Sequence, residues 1–131
     1  MENRKQIYIS GPLTNSVREE LYKSIGNLVN SLGYKPSIHL HTSQNATSKD
    51  VYTTDMEKSY MVIAYVGTPS QEVAAELECA NAKGIPIILL YEDLNTVSQL
   101  VREIPSVWLH VKIDPSDKEF SALYSLWCAL S

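Results

Sequence analysis

Three carboxylates stand on one short run near the middle of the chain. The stretch TPSQEVAAELECA, from Thr68 to Ala80, carries Glu72, Glu76 and Glu78 among small and apolar residues. A carboxylate can serve as a nucleophile, as a general acid or base, or as a solvated surface group, and its depth in the fold selects among these. At roughly 100° per residue, Val73, Leu77 and Ala80 line one helical face, and Glu76 falls about 60° from the centre of that stripe. Glu76 therefore borders the core. Glu72 lies one turn earlier on a similar side, and Glu78 points to solvent. Partial burial raises a carboxyl pKa unless a donor holds the charged form, and Tyr8 on a neighbouring strand is a candidate donor.

The start of the same run has chemistry of its own. In Thr68-Pro69-Ser70-Gln71, Thr68 is the expected N-cap, Pro69 takes the first helical position, and Gln71 closes a capping box. The free N–H groups of that turn and the Ser70 hydroxyl can bind an anion such as a phosphate. A well-capped helix without a ligand explains the same residues. Elsewhere, His39 and His41 alternate on a strand and share a face. No third ligand at suitable spacing follows, so they are read as a solvated or ligand-edge pair and no metal site is expected. His110, inside an apolar strand, reads as a hydrogen-bonded core histidine. Tyr91 to Asp93 end a strand at the edge of the expected site, and Trp108 and Trp127 read as core or interface residues.

The elements that must position these groups follow from periodicity. QIYIS (Gln6 to Ser10) is a short β-type run stopped by Gly11-Pro12. SVREELYKSIGNLVNSLG has Val17, Leu21, Ile25, Leu28 and Leu32 at helical spacing, a Ser16–Glu19 capping box, and Gly33 as its stop. YKPSIHL reads as a strand interrupted by Pro36, HTSQNATSKD as a loop, VYTTDMEKSY as a short helix, and MVIAYV as a buried strand. After the carboxylate-bearing helix, Gly84 is a stop, PIILLYE a second buried strand, NTVSQLVREI a helix and SVWLHVKI a strand. SDKEFSALYSLWCALS closes the chain as an amphipathic helix with Phe120, Leu123, Leu126, Trp127 and Leu130 as its apolar stripe.

Apolar strands alternating with helices predict a parallel sheet covered on both faces. The expected fold is α/β: a three-layer flavodoxin/Rossmann-like domain over residues 1–131, with five parallel strands in the order 2-1-3-4-5. Ligands in such sheets sit beyond the carboxyl ends of the strands where the winding reverses, here between strands one and three. The loops there are SGPLTN and GTPSQE. Ser10, Gly11 and Pro12 from the first, with Thr68 and Ser70 from the second, are the candidate substrate contacts.

Composition narrows the partners. Among 131 residues, 11 Lys+Arg face 15 Asp+Glu, a net charge of −4 with no basic run. That argues against a nucleic-acid polymer, which needs clustered positive charge, while leaving a single nucleotide open. There is no apolar run of the roughly 18 residues a membrane span needs, and no signal-like N-terminus, so a cytoplasmic protein is expected. Cys79 and Cys128 are read as half-buried free thiols. The NAT sequence at Asn45 matches a glycosylation pattern that means little without a secretion signal.

IYISGPLT, MEKSYMVIAYV and PSQEVAAELECANAKGIPIILLY together resemble the nucleoside 2-deoxyribosyltransferase-like family, over most of residues 6 to 92. That family includes N-glycosidases acting on deoxynucleoside 5′-monophosphates. The resemblance implies that Glu76 is the nucleophile that attacks the anomeric carbon and forms a glycosyl-enzyme intermediate. It implies that Tyr8 orients or activates Glu76, that Ser70 contacts phosphate or sugar, and that Ser10 and Gly11 lie in the loop cradling the ligand. Asp55 stands for the base-side aspartate, nearly one helical turn past Tyr52, which occupies the usual position. The small-molecule partner implied is a nucleoside or nucleotide, without metal or redox cofactor, in a homodimer whose neighbouring subunit completes the site. The chain departs from the family pattern at Tyr52, Tyr60, Glu72 and Glu78. Glu72 replaces a glycine beside the proposed phosphate position, where its charge repels a phosphate. A nucleoside, a dinucleotide or another ribosyl compound therefore stays open as substrate. So do a catalytically silent nucleotide-binding or sensing module, and an NAD-cleaving TIR-like domain, which also uses a helix-borne glutamate.

Overall fold

A computed structural model of the protein describes residues 4–12, 19–41, 49–68, 70–114 and 120–131, without the side chains of 49–52 and 120. Ser16, Val17, Asn45 and Pro69, and the side chains of Tyr52 and Phe120, lie outside the described residues. Five strands, β1 (Gln6–Pro12), β2 (Lys35–His41), β3 (Ser59–Tyr65), β4 (Ile87–Tyr91) and β5 (Val107–Lys112), make one parallel sheet in the order β2-β1-β3-β4-β5. The helices are α1 (Glu19–Ser31), α2 (Lys49–Glu57), α3 (Gln71–Ala82), α4 (Gln99–Arg102) and α5 (Phe120–Leu130). This is the α/β flavodoxin-like arrangement expected from the alternation of elements.

Alternation along the strands divides the interior into two cores. Ile7, Ile9, Met61, Ile63 and Tyr65 face α1 and α5, joined there by Leu21, Ile25, Val29 and Leu126. Tyr8, Val62, Ala64 and Val66 face the opposite way, against Met56 of α2 and Val73, Leu77 and Ala80 of α3. Each fully buried aliphatic side chain of this kind contributes about 1.5–3 kcal/mol, which fixes the facing of every central strand. In α1, Leu21, Ile25 and Val29 recur every four residues, and Glu19 and Glu20 place negative charge at its positive end. Gly33 and Gly84, at φ 93° and 70°, carry the turns that end α1 and α3.

Three expectations need correction. The N-cap of α3 is Ser70 rather than Thr68: Ser70 is extended, and its hydroxyl accepts the Val73 N–H at 3.3 Å. The helix expected over NTVSQLVREI is instead a 3-10 turn at Leu94–Thr96 followed by the single turn α4. Asp93 caps that turn through Asn95 N–H at 2.9 Å, and Val97 breaks to an extended conformation while its side chain enters the α3-side core. His110 is exposed rather than a core residue, edge-on to Tyr91 at 6.0 Å between ring centroids. It lies on the outermost strand, on the face where α4 is only four residues long. Of the two places expected for Trp108 and Trp127, core or interface, the core is ruled out, since they are 54% and 46% exposed.

Candidate active site

The candidate site forms where α3 crosses β1. Val73, Leu77 and Ala80 seat α3 on the sheet, and Glu76, between them on the helical repeat, is carried inward with them to full burial. Tyr8 and Ser10, two residues apart on β1, present their side chains to this same face. Parallel pairing sets Ser10 beside His39 and Pro12 beside His41, so the even positions of β1 and the odd positions of β2 line one surface.

Three side chains converge on the Glu76 carboxyl group. The Tyr8 hydroxyl donates to Oε2, the Ser10 hydroxyl donates to Oε1 at 2.8 Å, and His41 Nε2 meets Oε1. A second layer stands behind Tyr8. The His39 ring stacks on the Tyr8 ring, with centroids 4.1 Å apart and planes 3° from parallel. His39 Nε2 lies 3.1 Å from Asp55 Oδ2 and 2.9 Å from the Ser37 hydroxyl. The groups thus run inward from the partly buried Asp55 and His39 to the buried Tyr8, Glu76 and His41.

Burial decides their protonation. It pushes the Glu76 carboxyl up to about 9, far above the ordinary carboxylate range, despite the hydroxyl donors around it. Tyr8 is placed as the candidate donor, and desolvation outweighs its hydroxyl and that of Ser10. Burial also lowers the pKa of His41, opposed by the charge of Glu72 and reinforced by His39. His39 is lowered for the same reason, against the raising effect of Asp55.

The remaining expected site residues are distributed around this cluster. Asp55 packs against His39, and its backbone carbonyl accepts from the Gln6 amide at 3.1 Å. Gly11 lies against Tyr22, where any Cβ would run into the ring, and the Tyr22 hydroxyl donates to the Pro12 carbonyl at 2.7 Å. Thr68 and Ser70 line a cavity of about 300 Å³ between α3 and α4, with walls that include Val73, Leu100 and Val101. Glu76 does not line that cavity. Ser70 donates to Glu72 at 3.2 Å, and Glu78 is exposed as expected. At the ends of β3 and β4, Tyr65 donates to Glu92 at 2.6 Å across Gly67.

His41, expected with His39 as a solvated or ligand-edge pair, is buried instead against Glu76. Its shared face with His39 was visible from alternation, but its place beside Glu76 required the register of β2 against β1 and the depth of α3. Among the described residues, no group of three or more His, Cys, Asp or Glu side chains is placed to hold a metal ion, and no helix is long and apolar enough to cross a membrane.

No protein-family model matches the chain, and no curated protein matches it in sequence. Solved structures do match in shape. The CMP N-glycosidase BcmB of Clostridium botulinum superposes with a TM-score of 0.61 at 22% identity, over 94% of this chain and 99% of that one. A flavo di-iron protein variant from Thermotoga maritima gives 0.71 at 13% identity, over 99% of this chain. The chain spans only 38% of that protein's length. A diflavin flavoprotein from Nostoc sp. gives 0.66 at 7% identity, covering 97% of this chain and 91% of that one. These likenesses establish the fold. Proteins named for flavin and for N-glycoside cleavage share it, so the chemistry has to be argued from the side chains.

Proposed function

We propose that the protein cleaves the N-glycosidic bond of a (deoxy)ribonucleoside or its 5′-monophosphate, by hydrolysis or transfer, with Glu76 as nucleophile. The observation that carries this reading is the convergence of Tyr8, Ser10 and His41 on a buried carboxyl group beside the switch point of the sheet. A Glu76 oxygen attacks the anomeric carbon as the bond to the base breaks, giving a glycosyl ester that water or a second base then resolves. The Tyr8 and Ser10 hydroxyls hold the carboxyl group in one orientation throughout. Thr68 and Ser70, with the first turn of α3, are the proposed sugar or phosphate contacts, and Ser10, Gly11 and Pro12, at the carboxyl end of β1, the segment beneath the ligand. Asp55, engaged with His39, supports the layer behind Tyr8. Glu72 beside Ser70 favours an uncharged sugar terminus over a 5′-phosphate. The likeness to a CMP N-glycosidase over nearly the full length of both chains supports the same class of chemistry.

One observation favours a second reading. Glu76 is 0% exposed, so the same cluster would suit a nucleotide-binding module in which Glu76 ties α3 to the sheet. Incubation with a panel of nucleosides and 5′-monophosphates, followed by chromatography of free base, separates the two. Base release that disappears in Glu76→Gln and Glu76→Ala is the expected result. Binding without release from any substrate would leave only the module, and equal activity in the variants would remove Glu76 as nucleophile.

A further inference from the structure

We infer that His41 is the proton relay of this site: its Nε2 takes the Glu76 proton while its Nδ1 protonates the departing base. The inference rests on the reading of Glu76 as nucleophile.

A carboxyl group that carries its proton cannot attack an anomeric carbon efficiently, and a base leaves as an anion unless it is protonated. Both needs meet at His41. Its Nε2 touches Glu76 Oε1, and the side chain is 2% exposed. Burial disfavours charge on either partner, so the relay starts from a neutral acid and a neutral imidazole. The hydrogen-bond inventory then assigns every proton. Tyr8 and Ser10 donate to the carboxyl oxygens, the remaining acid proton goes to His41 Nε2, and the ring proton of neutral His41 sits on Nδ1. That Nδ1 is buried and has no partner among the described residues. A buried donor left unmatched beside a nucleophile is suited to an acceptor that arrives with the substrate.

The steps balance. In the first, Nε2 accepts the Glu76 proton, a carboxylate oxygen bonds to the anomeric carbon, and the carbon–nitrogen bond breaks with its electron pair going to the base. Nδ1–H supplies the proton to that nitrogen, leaving a glycosyl ester, a free base and the Nε2–H tautomer. In the second, Nδ1 takes a proton from water as its oxygen attacks the anomeric carbon. The ester bond breaks, and Nε2–H returns its proton to Glu76. Glu72, whose charge favours a proton on His41, eases the passage through the imidazolium.

Two measurements test the relay. Long-range proton–nitrogen NMR correlation on the ¹⁵N-labelled wild-type protein at neutral pH reads the His41 tautomer; Nδ1–H is expected, and Nε2–H or imidazolium overturns the proposal. The second compares wild type with His41→Gln on the best nucleoside of the panel and on the corresponding nitrophenyl glycoside, whose leaving group departs without a proton. A loss of about 10²–10⁴-fold in kcat on the nucleoside, shrinking to less than about tenfold on the nitrophenyl glycoside, is the expected pattern. An equal loss on both substrates marks a merely structural role, and no loss on either removes His41 from the reaction; each overturns the relay while leaving Glu76 in place. If His41→Gln does not fold, the wild-type tautomer decides. A wild-type protein that releases no base from the whole panel takes down the glycosidase reading and the relay together.

Discussion

Both oxygens of Glu76 are engaged, and each donor can be removed singly. Tyr8→Phe keeps the ring that stacks on His39 but leaves Oε2 without its hydroxyl donor. Loss of one partner of a buried polar group costs about 1–3 kcal/mol, so the urea midpoint should fall accordingly, together with base release. An unchanged midpoint would mean that the Tyr8 hydroxyl does not bear on Glu76. Gly11 shows the opposite kind of constraint, set by packing rather than by a polar partner. A Cβ there has no room beside the Tyr22 ring, so Gly11→Ala should destabilise by about 1–3 kcal/mol in the same assay. Tolerance of alanine would show that Tyr22 can move aside. Glu76 itself was legible in the sequence as a carboxylate near the apolar stripe. Its full burial was not, because a helical angle gives the direction of a side chain and not its depth.

Strand and helix periods carried most of the element-level reading. The even–odd division of MVIAYV into two cores follows from strand geometry alone, as does the four-residue repeat of α1. Helix ends were less legible. Thr68 and Ser70 both fit an N-cap, and the choice of Ser70 depends on where the chain leaving β3 turns back over the sheet. Ser70→Ala should therefore lower stability by about 0.5–2 kcal/mol, whereas Thr68→Ala should change it by less than about 0.5 kcal/mol. Thermal melts of the two variants check this, and a larger effect at Thr68 would return the cap to that residue. The break at Val97 was hidden for a related reason: burial of one side chain in the α3-side core outweighs the weak local preference for a continuous helix.

For the molecule as a whole, the buried cluster makes stability depend on pH. The folded Glu76 pKa near 9 lies above its ordinary 4.5, so the folded state keeps a proton that the unfolded chain releases. Its stabilising contribution is complete below about 4.5 and is lost as pH rises towards 9. His39 and His41 act in the other direction, since their lowered folded pKa values cost stability as pH falls below their ordinary 6.5. Of these three groups, only Glu76 sets a slope between pH 7 and 9. Urea unfolding of the wild type should show stability falling across that interval, with a slope approaching one proton, and Glu76→Gln should flatten it. A slope common to both proteins would place the titration elsewhere.

By itself the sequence determined the alternating α/β architecture, the strand order, the apolar faces, and a carboxylate helix beside the switch point. These depend on residue spacing within single elements and on the general winding of parallel sheets, both of which a linear pattern records. Only the tertiary structure decided that Glu76 is wholly enclosed, that its ionisable neighbour is His41, and that Asp55 and His39 stand behind Tyr8. Those contacts join β1, β2, α2 and α3 across 16 to 68 residues of chain, from His39–Asp55 to Tyr8–Glu76. They depend on the register of β2 against β1 and on how deeply α3 settles on the sheet, quantities set by the packing of the whole core rather than by any local run of residues.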